Sequence, residues 1–210
     1  MAGGIVAIPL LGFSLLAVAL IIERIYFWSQ IQLRQDRLVT EVLKLYRSNP
    51  PEAIARLKKN ADLPMARIFL EALCLEESTP TEFRLALESA TQAELPLLKR
   101  FNTLFQTIIT VSPLLGLLGT ILGLMRSFAS MSLGDTTGTN ATAVTGGISE
   151  ALVSTVMGLV VAIATLLFAN VFRSLYLRQF ALIQEQGGQL ELVYRRFHHQ
   201  SGEKQYAASR

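Results

Sequence analysis

Apolar residues in this chain fall into three long runs without charge, joined by stretches in which they recur every three or four positions. The first run extends from Met1 to Ile22 and leads into Glu23-Arg24-Ile-Tyr-Phe-Trp28, a charged and aromatic collar of the kind that ends a membrane span. The second fills the twenty-five positions from Phe101 to Met125 between Arg100 and Arg126, and the third runs from Ala151 to Phe172. At about 1.5 Å per helical residue each run reaches across a bilayer core of roughly 30 Å. The first run has neither the basic start nor the small-residue cleavage site of a signal peptide, so it reads as an uncleaved span, with Pro9 and Gly12 as kink positions.

Between the first and second runs the pattern is that of amphipathic helices. Leu38, Val42 and Leu45 share one face of the stretch Gln30–Arg47. Asn49-Pro50-Pro51-Glu52 reads as a capped helix start, and Thr79-Pro80-Thr81-Glu82 repeats that signature ahead of Phe83, Leu87 and Ala90 on one face. This last helix is expected to run through Pro96 with a kink and continue as the second span. The stretch from Arg126 to Ser149, rich in Gly, Thr, Ser and Asn, reads as a loop with a flexible centre at Gly134–Asn140. After the third run Arg173 to Phe197 reads as an amphipathic helix interrupted at Gly187-Gly188, followed by a polar tail. The expectation is an all-α membrane protein with three transmembrane helices and long helical extensions. Its divisions are 1–28 (first span and collar), 29–100 (helical region), 101–172 (a hairpin of the second and third spans with an outer loop at 126–149) and 173–210 (helix and tail).

Composition agrees with the membrane reading. Only 17% of residues are charged, against about 25% in soluble domains, and the mean hydropathy is +0.41. A net charge of +3 raises the question of nucleic acid, but no aromatic–basic or zinc-binding pattern accompanies it. Instead, twelve of the nineteen Lys and Arg lie between Glu23 and Asn102, six follow the third run, and Arg126 stands by itself between the second and third. The positive-inside rule therefore puts the helical region and the C-terminal tail in the cytoplasm, and the N-terminus and the Gly/Thr loop outside. Cys74 is the one cysteine; it reads as a buried or half-buried thiol in an amphipathic helix. No nucleophile–base pair, phosphate loop or metal-ligand spacing occurs, so neither an enzyme nor a bound metal or cofactor is expected.

The candidate chemistry lies on the hairpin. Ser112, Gly116, Gly119, Gly123 and Ser127 recur every three or four residues in the second run; Ala151, Thr155, Gly158, Ala162, Thr165 and Ala169 do the same in the third. Such small-residue seams let helix backbones approach closely in lipid. Thr120 lies five residues before Met125 and Thr155 five after Glu150, so antiparallel spans put both hydroxyls roughly 7 Å below the outer boundary. Two readings are open: a polar ring around an axis shared by several copies, or packing bonds to nearby carbonyls. Glu150 is the one carboxylate at a span's edge. It lies about 140° around the helix from Thr155, and reads either as a proton acceptor at the mouth or as an interfacial charge. No ionisable residue occupies the middle of any run, so a proton path would need an acid from another polypeptide.

With these residues in view the chain resembles the ExbB/TolQ/MotA proton-channel family, in its three-span ExbB/TolQ branch. The resemblance is carried by Pro113-Leu-Leu-Gly-Leu-Leu-Gly-Thr-Ile-Leu-Gly-Leu-Met-Arg-Ser-Phe128 and by Gly147-Ile-Ser-Glu-Ala-Leu-Val-Ser-Thr-Val-Met-Gly-Leu-Val-Val-Ala-Ile163. Ile22-Glu23-Arg24 adds a third point. The resemblance implies a pentameric ring in the inner membrane, whose second and third spans surround the single spans of a dimeric ExbD- or TolR-like partner. An Asp on that partner takes the proton, and Thr120, Thr155 and Glu150 match the family's polar residues beside the path. A TonB- or TolA-like transducer then carries the work to the envelope. The first span starts so near Met1 that the N-terminal extension of some members is not expected, and three spans disfavour a flagellar role. A smooth small-residue inner wall would give a rotating partner little to catch on. The competing expectation is a non-conducting membrane scaffold that uses the same seams for packing alone.

Overall fold

A computed structural model describes residues 6–75, 78–131 and 139–208, apart from the side chains of 130–131, 139–144 and 197–208. Every secondary-structure element among the described residues is helical: α1 (Ala7–Ser48), α2 (Pro50–Lys59), α3 (Pro64–Leu73), α4 (Pro80–Leu98), α5 (Asn102–Met131) and α6 (Thr139–Ala208). Among the described residues three stretches are long and apolar enough to cross a membrane; two contain the second and third uncharged runs, and the one near the N-terminus takes in the first run from Ala7 on. The chain forms two compact units, Met1–Ile25 with Phe101–Arg173 and Tyr26–Arg100 with Ser174–Arg210, so α1 and α6 contribute to both.

The first unit combines the start of α1, all of α5 and the first half of α6. Its outer faces are apolar: Leu15, Leu117, Met125, Val160 and Leu167 are all more than half exposed. A belt of that kind is stable against lipid tails or neighbouring apolar helices rather than water.

Local rules explain how the helices of the second unit begin. Pro50, Pro64 and Pro80 each occupy the first turn of a helix, where the missing N–H costs nothing. Thr79 caps α4 as a complete capping box with Glu82, and the hydrogen bond from the Thr79 backbone N–H holds the Glu82 carboxyl below its ordinary pKa. Asn49 differs from expectation. Its Nδ2 donates to Glu52 Oε2 at 3.0 Å, and its side chain accepts no cap bond from the backbone of α2, the charge-assisted contact setting the orientation of the amide.

Packing of this unit rests on Leu57, Met65, Ile68, Phe69, Phe83 and Leu190, all fully buried. Leu38 and Val42 are buried as the periodicity of Gln30–Arg47 requires, and so are Phe83, Leu87 and Ala90 of α4. Phe83 stacks on Tyr194 of α6 at 4.1 Å, and the Tyr194 hydroxyl donates to the Ser78 carbonyl at 2.6 Å. Arg67 grips Glu94 through two bonds of 2.6 Å, which raises the guanidinium pKa above its ordinary value. Burial, with a smaller contribution from Tyr194, pushes the Tyr46 phenol up to about 12.

Four further expectations are corrected. The helix begun at Pro80 runs through Pro96 as expected but does not continue as the second span: α4 ends at Leu98, and Phe101 adopts φ 67° before α5 begins. Pro96 supplies no N–H to the turn behind it, and the left-handed residue is held where the Arg24 guanidinium, 2% exposed, lies 5.7 Å from the Phe101 ring centre. The outer loop is shorter than 126–149, because α5 persists to Met131 and α6 starts at Thr139. There Gly147 of α6 packs against the Ser127 side chain and the Gly123 carbonyl, so the close contact extends beyond the uncharged runs. Most of the expected flexible centre lies outside the described residues. Cys74 follows the end of α3 and is exposed, the apolar face of that helix having been taken by Ile68, Phe69 and Ala72.

Finally, α6 is not interrupted at Gly187-Gly188. A side chain at Gly187 would press on Leu87 Cδ2 at 2.7 Å, whereas the position at Gly188 faces open space. Gly188→Ala is therefore expected to raise stability by up to about 1 kcal/mol, the helix penalty of glycine, while Gly187→Ala gains less or loses. Thermal unfolding of the two purified variants checks the difference; equal shifts would refute the contact with Leu87.

Candidate functional site

The candidate site lies on the hairpin of α5 and α6, and both arms belong to the first unit. Contacts between the arms pair rising numbers on one with falling numbers on the other: Phe105 with Phe172, Ser112 with Gly158, Gly116 with Thr155, and Gly123 with Ala151. The arms are antiparallel, and glycine sets how close they come. A β-carbon at Gly158 would sit 2.5 Å from the Ser112 carbonyl oxygen, one at Gly116 would sit 3.0 Å from Thr155 Cα, and one at Gly123 would sit 2.8 Å from Ala151 Cβ. At Gly119 it would run into the Ser154 side chain, 2.6 Å from Cβ. In lipid, where apolar side chains gain nothing by leaving the tails, this backbone-to-backbone contact is what holds the arms together.

On α5 the buried stripe passes through Phe105, Ile108, Ser112, Gly116, Gly119, Gly123 and Ser127, which includes every residue of the expected seam. On α6 it passes through Ala151, Ser154, Gly158, Ala162, Thr165 and Ala169. Thr155 is displaced to the edge of that stripe and is half-buried, while Ser154 is 1% exposed and takes the central place. These faces are closed against each other within one chain. They are therefore not available as the smooth inner wall expected from the sequence.

The hydroxyls meet the backbone of α5. Thr155 Oγ1 donates to the Gly116 carbonyl at 3.0 Å, and Ser154 Oγ donates to the Ala151 carbonyl at 2.7 Å while lying 3.4 Å from that same Gly116 oxygen. Thr120 Oγ1 donates to the Leu117 carbonyl at 2.6 Å. Thr120 and Thr155 thus address consecutive carbonyls of α5 and stand in one layer, both half-buried, without bonding each other. Ser112, completely buried, has a hydroxyl that finds no hydrogen-bond partner among the described residues.

Glu150 is half-buried near the start of the third uncharged run, and its carboxylate lies 3.9 Å from Arg126 at the facing end of α5. The sequence reading treated these two charges separately, although each is the lone charge at the same end of the two antiparallel arms; that coincidence was the available signal. Ser154 was likewise missed, yet Gly147, Ala151, Ser154 and Gly158 follow one another at +4, +3 and +4, an alternative seam in the same run. Among the described residues no cluster of His, Cys, Asp and Glu is placed to hold a metal. The arrangement offers hydroxyl and carbonyl dipoles in an uncharged layer, with one carboxylate above it. Such groups can line a path for a cation but cannot store its charge.

Comparison with known proteins agrees with this geometry. The profile of the MotA/TolQ/ExbB proton channel family matches residues 60–185. The chain is 89% identical over the full length of both sequences to the putative biopolymer transport protein ExbB-like 3 of a Synechocystis species. It is 38% identical to ExbB-like 1 of the same organism, over 92% of this chain and 76% of the relative. A shorter similarity, 42% over 35% of this chain and 29% of the relative, links it to the biopolymer transport protein ExbB of Salmonella typhimurium. Three apolar spans, a hairpin closed by small residues and a family match over its core lead to one assignment: the chain belongs to the MotA/TolQ/ExbB proton channel family.

Proposed function

We propose that this chain is an ExbB/TolQ-like stator subunit of a proton-driven motor in the inner membrane, energising transport or maintenance at the cell envelope. Its copies form a ring, a pentamer as in the family, around a dimeric ExbD/TolR-like partner with one span per chain. The partner's intramembrane Asp carries the proton, and a TonB- or TolA-like transducer receives the work. The helical region 29–100 and the C-terminal helix are cytoplasmic, following the distribution of Lys and Arg. The observation that carries the reading is the half-buried pair Thr120 and Thr155, set in one layer at the edge of an otherwise closed, uncharged hairpin. Thr155 and Thr120 pass or orient the proton's hydrogen bonds, and Glu150 collects it at the mouth. Each charge moved supplies about 2.3 kcal/mol per 100 mV.

The test is reconstitution with a single-span, Asp-bearing protein encoded beside this one. Co-purification as a ring and potential-driven acidification of liposomes are expected. A second reading, a non-conducting scaffold, draws on the bond from Thr155 to Gly116, since a hydroxyl satisfied by the neighbouring helix also serves packing. A ring that assembles with the partner and conducts no protons under an imposed potential would favour the scaffold and overturn the motor.

A further inference from the structure

A second polar site lies in the second unit, where α1 and α6 enclose a cavity of about 250 Å³. Its wall includes Trp28, a residue 3% exposed whose indole N–H is buried and has no hydrogen-bond partner among the described residues. Burying such a donor unpaired is costly. Two buried amides join the same wall. Gln179 Nε2 donates to Gln35 Oε1 at 2.8 Å, which fixes both amides and leaves the Gln35 NH₂ and the Gln179 carbonyl to other partners. Arg178 and Asp36 are exposed at its rim, and neither forms an ion pair among the described residues. Ile31, Leu175 and Leu182 complete it with apolar surface.

The site stands at a particular depth. Trp28 lies six residues beyond Ile22, the end of the first apolar run, and Arg178 six beyond Phe172, the end of the third. At 1.5 Å per residue both are about 9 Å past the runs, within side-chain reach of a headgroup layer that extends about 5–7 Å beyond the hydrocarbon. A cation, buried N–H donors, an acceptor carboxylate and apolar wall at that level match one chemistry.

We propose that this cavity binds the phosphodiester headgroup of a membrane lipid whose far end carries hydrogen-bond donors, as glycerol or ethanolamine does. Arg178 and the Trp28 N–H receive the phosphate oxygens, Asp36 accepts the headgroup's hydroxyl or ammonium donors, and the first acyl carbons lie along Ile31, Leu175 and Leu182. A choline headgroup, which has no donors, is disfavoured. The lipid would fill the space between α1 and α6 and tie the two helices together where they leave the bilayer.

Trp28 is the chain's one tryptophan, so its fluorescence reports on the cavity without a label. The full-length protein, delipidated in neutral detergent, is titrated with phosphatidylglycerol bearing brominated acyl chains, which quench indole on contact. Saturable quenching is expected, with brominated phosphatidylcholine weaker by about tenfold in midpoint. Arg178→Gln should shift the phosphatidylglycerol midpoint by about tenfold, the loss of one charge-assisted contact, while Arg195→Gln, which lies outside the cavity, leaves it unchanged. Equal quenching by the two lipids, or an unaltered midpoint in Arg178→Gln, overturns the proposal. Competition by inorganic phosphate at matched concentration overturns the lipid assignment in favour of a soluble anion.

Discussion

Gly158→Val is expected to separate α5 from α6 and to lower the stability of the purified protein by about 3 kcal/mol or more. The reason is the nature of the obstacle. A β-carbon at position 158 meets the Ser112 carbonyl at 2.5 Å and Gly116 Cα at 3.2 Å, and both are backbone atoms that cannot rotate aside. In a chain of this size that loss corresponds to a fall of about 6–12 °C in melting temperature. Gly12→Ala is the matched control: it lies in the same unit, with nothing within 4 Å of its added carbon, and is expected to be neutral or slightly stabilising. Differential scanning fluorimetry in detergent, with ring assembly read by size-exclusion chromatography, decides the matter. A Gly158→Val protein that melts with the parent would show that the two backbones do not touch.

Thr155→Val is expected to leave assembly intact and to reduce coupled proton flux by about five- to tenfold, the effect of one missing hydrogen bond of about 1–1.5 kcal/mol at the limiting step. Valine keeps the shape of threonine. The Gly116 oxygen retains Ser154 Oγ nearby at 3.4 Å and, by helix geometry, its own backbone N–H partner, so packing survives. Thr155→Ser restores a hydroxyl and should recover most of the flux, which a purely steric role would not predict. Flux is measured with a pH dye in proteoliposomes containing the partner. Wild-type flux in Thr155→Val would remove the threonine from the path and leave it a packing residue.

The two experiments separate what the seam does from what its edge does. Glycines on the seam set the distance between backbones, whereas Thr120 and Thr155 beside it keep hydroxyls in a layer that has no charge of its own. Arg126 and Glu150 lie 3.9 Å apart at the end of the hairpin. Their pairing in solvent is worth at most about 1 kcal/mol, so Glu150 remains available to other partners at little cost.

Much of this was legible in the order of residues. Uncharged runs of bilayer length, the small-residue period on α5, and Thr79 followed by Glu82 each declare a local outcome, because span length, helical face and cap bonding depend on residues within a few turns of one another. Other features were not legible. The sequence put Thr155 on the seam, and the fold put Ser154 there, because two overlapping small-residue stripes on one helix differ by about 100° and the choice rests on the facing helix. At the break, the ring of Phe101 is met by Arg24, far away in the chain. Gly187-Gly188 looks like a break and is helical because α6 is supported from outside by Leu87 and Phe83.

By itself, then, the sequence determined that the chain is helical, that it has three stretches able to cross a membrane, that two of them carry small residues at helical spacing, and that no acid lies within them. The tertiary structure decided which side chains occupy the contact, which hydroxyls reach the carbonyls of α5, and that the seams close on each other inside one chain. The division has a physical cause. Hydrophobic period and helix capping are read from neighbours along a single helix, whereas the separation of two backbones is set by the bulkiest atom between them, and that atom belongs to whichever residue the other helix happens to present.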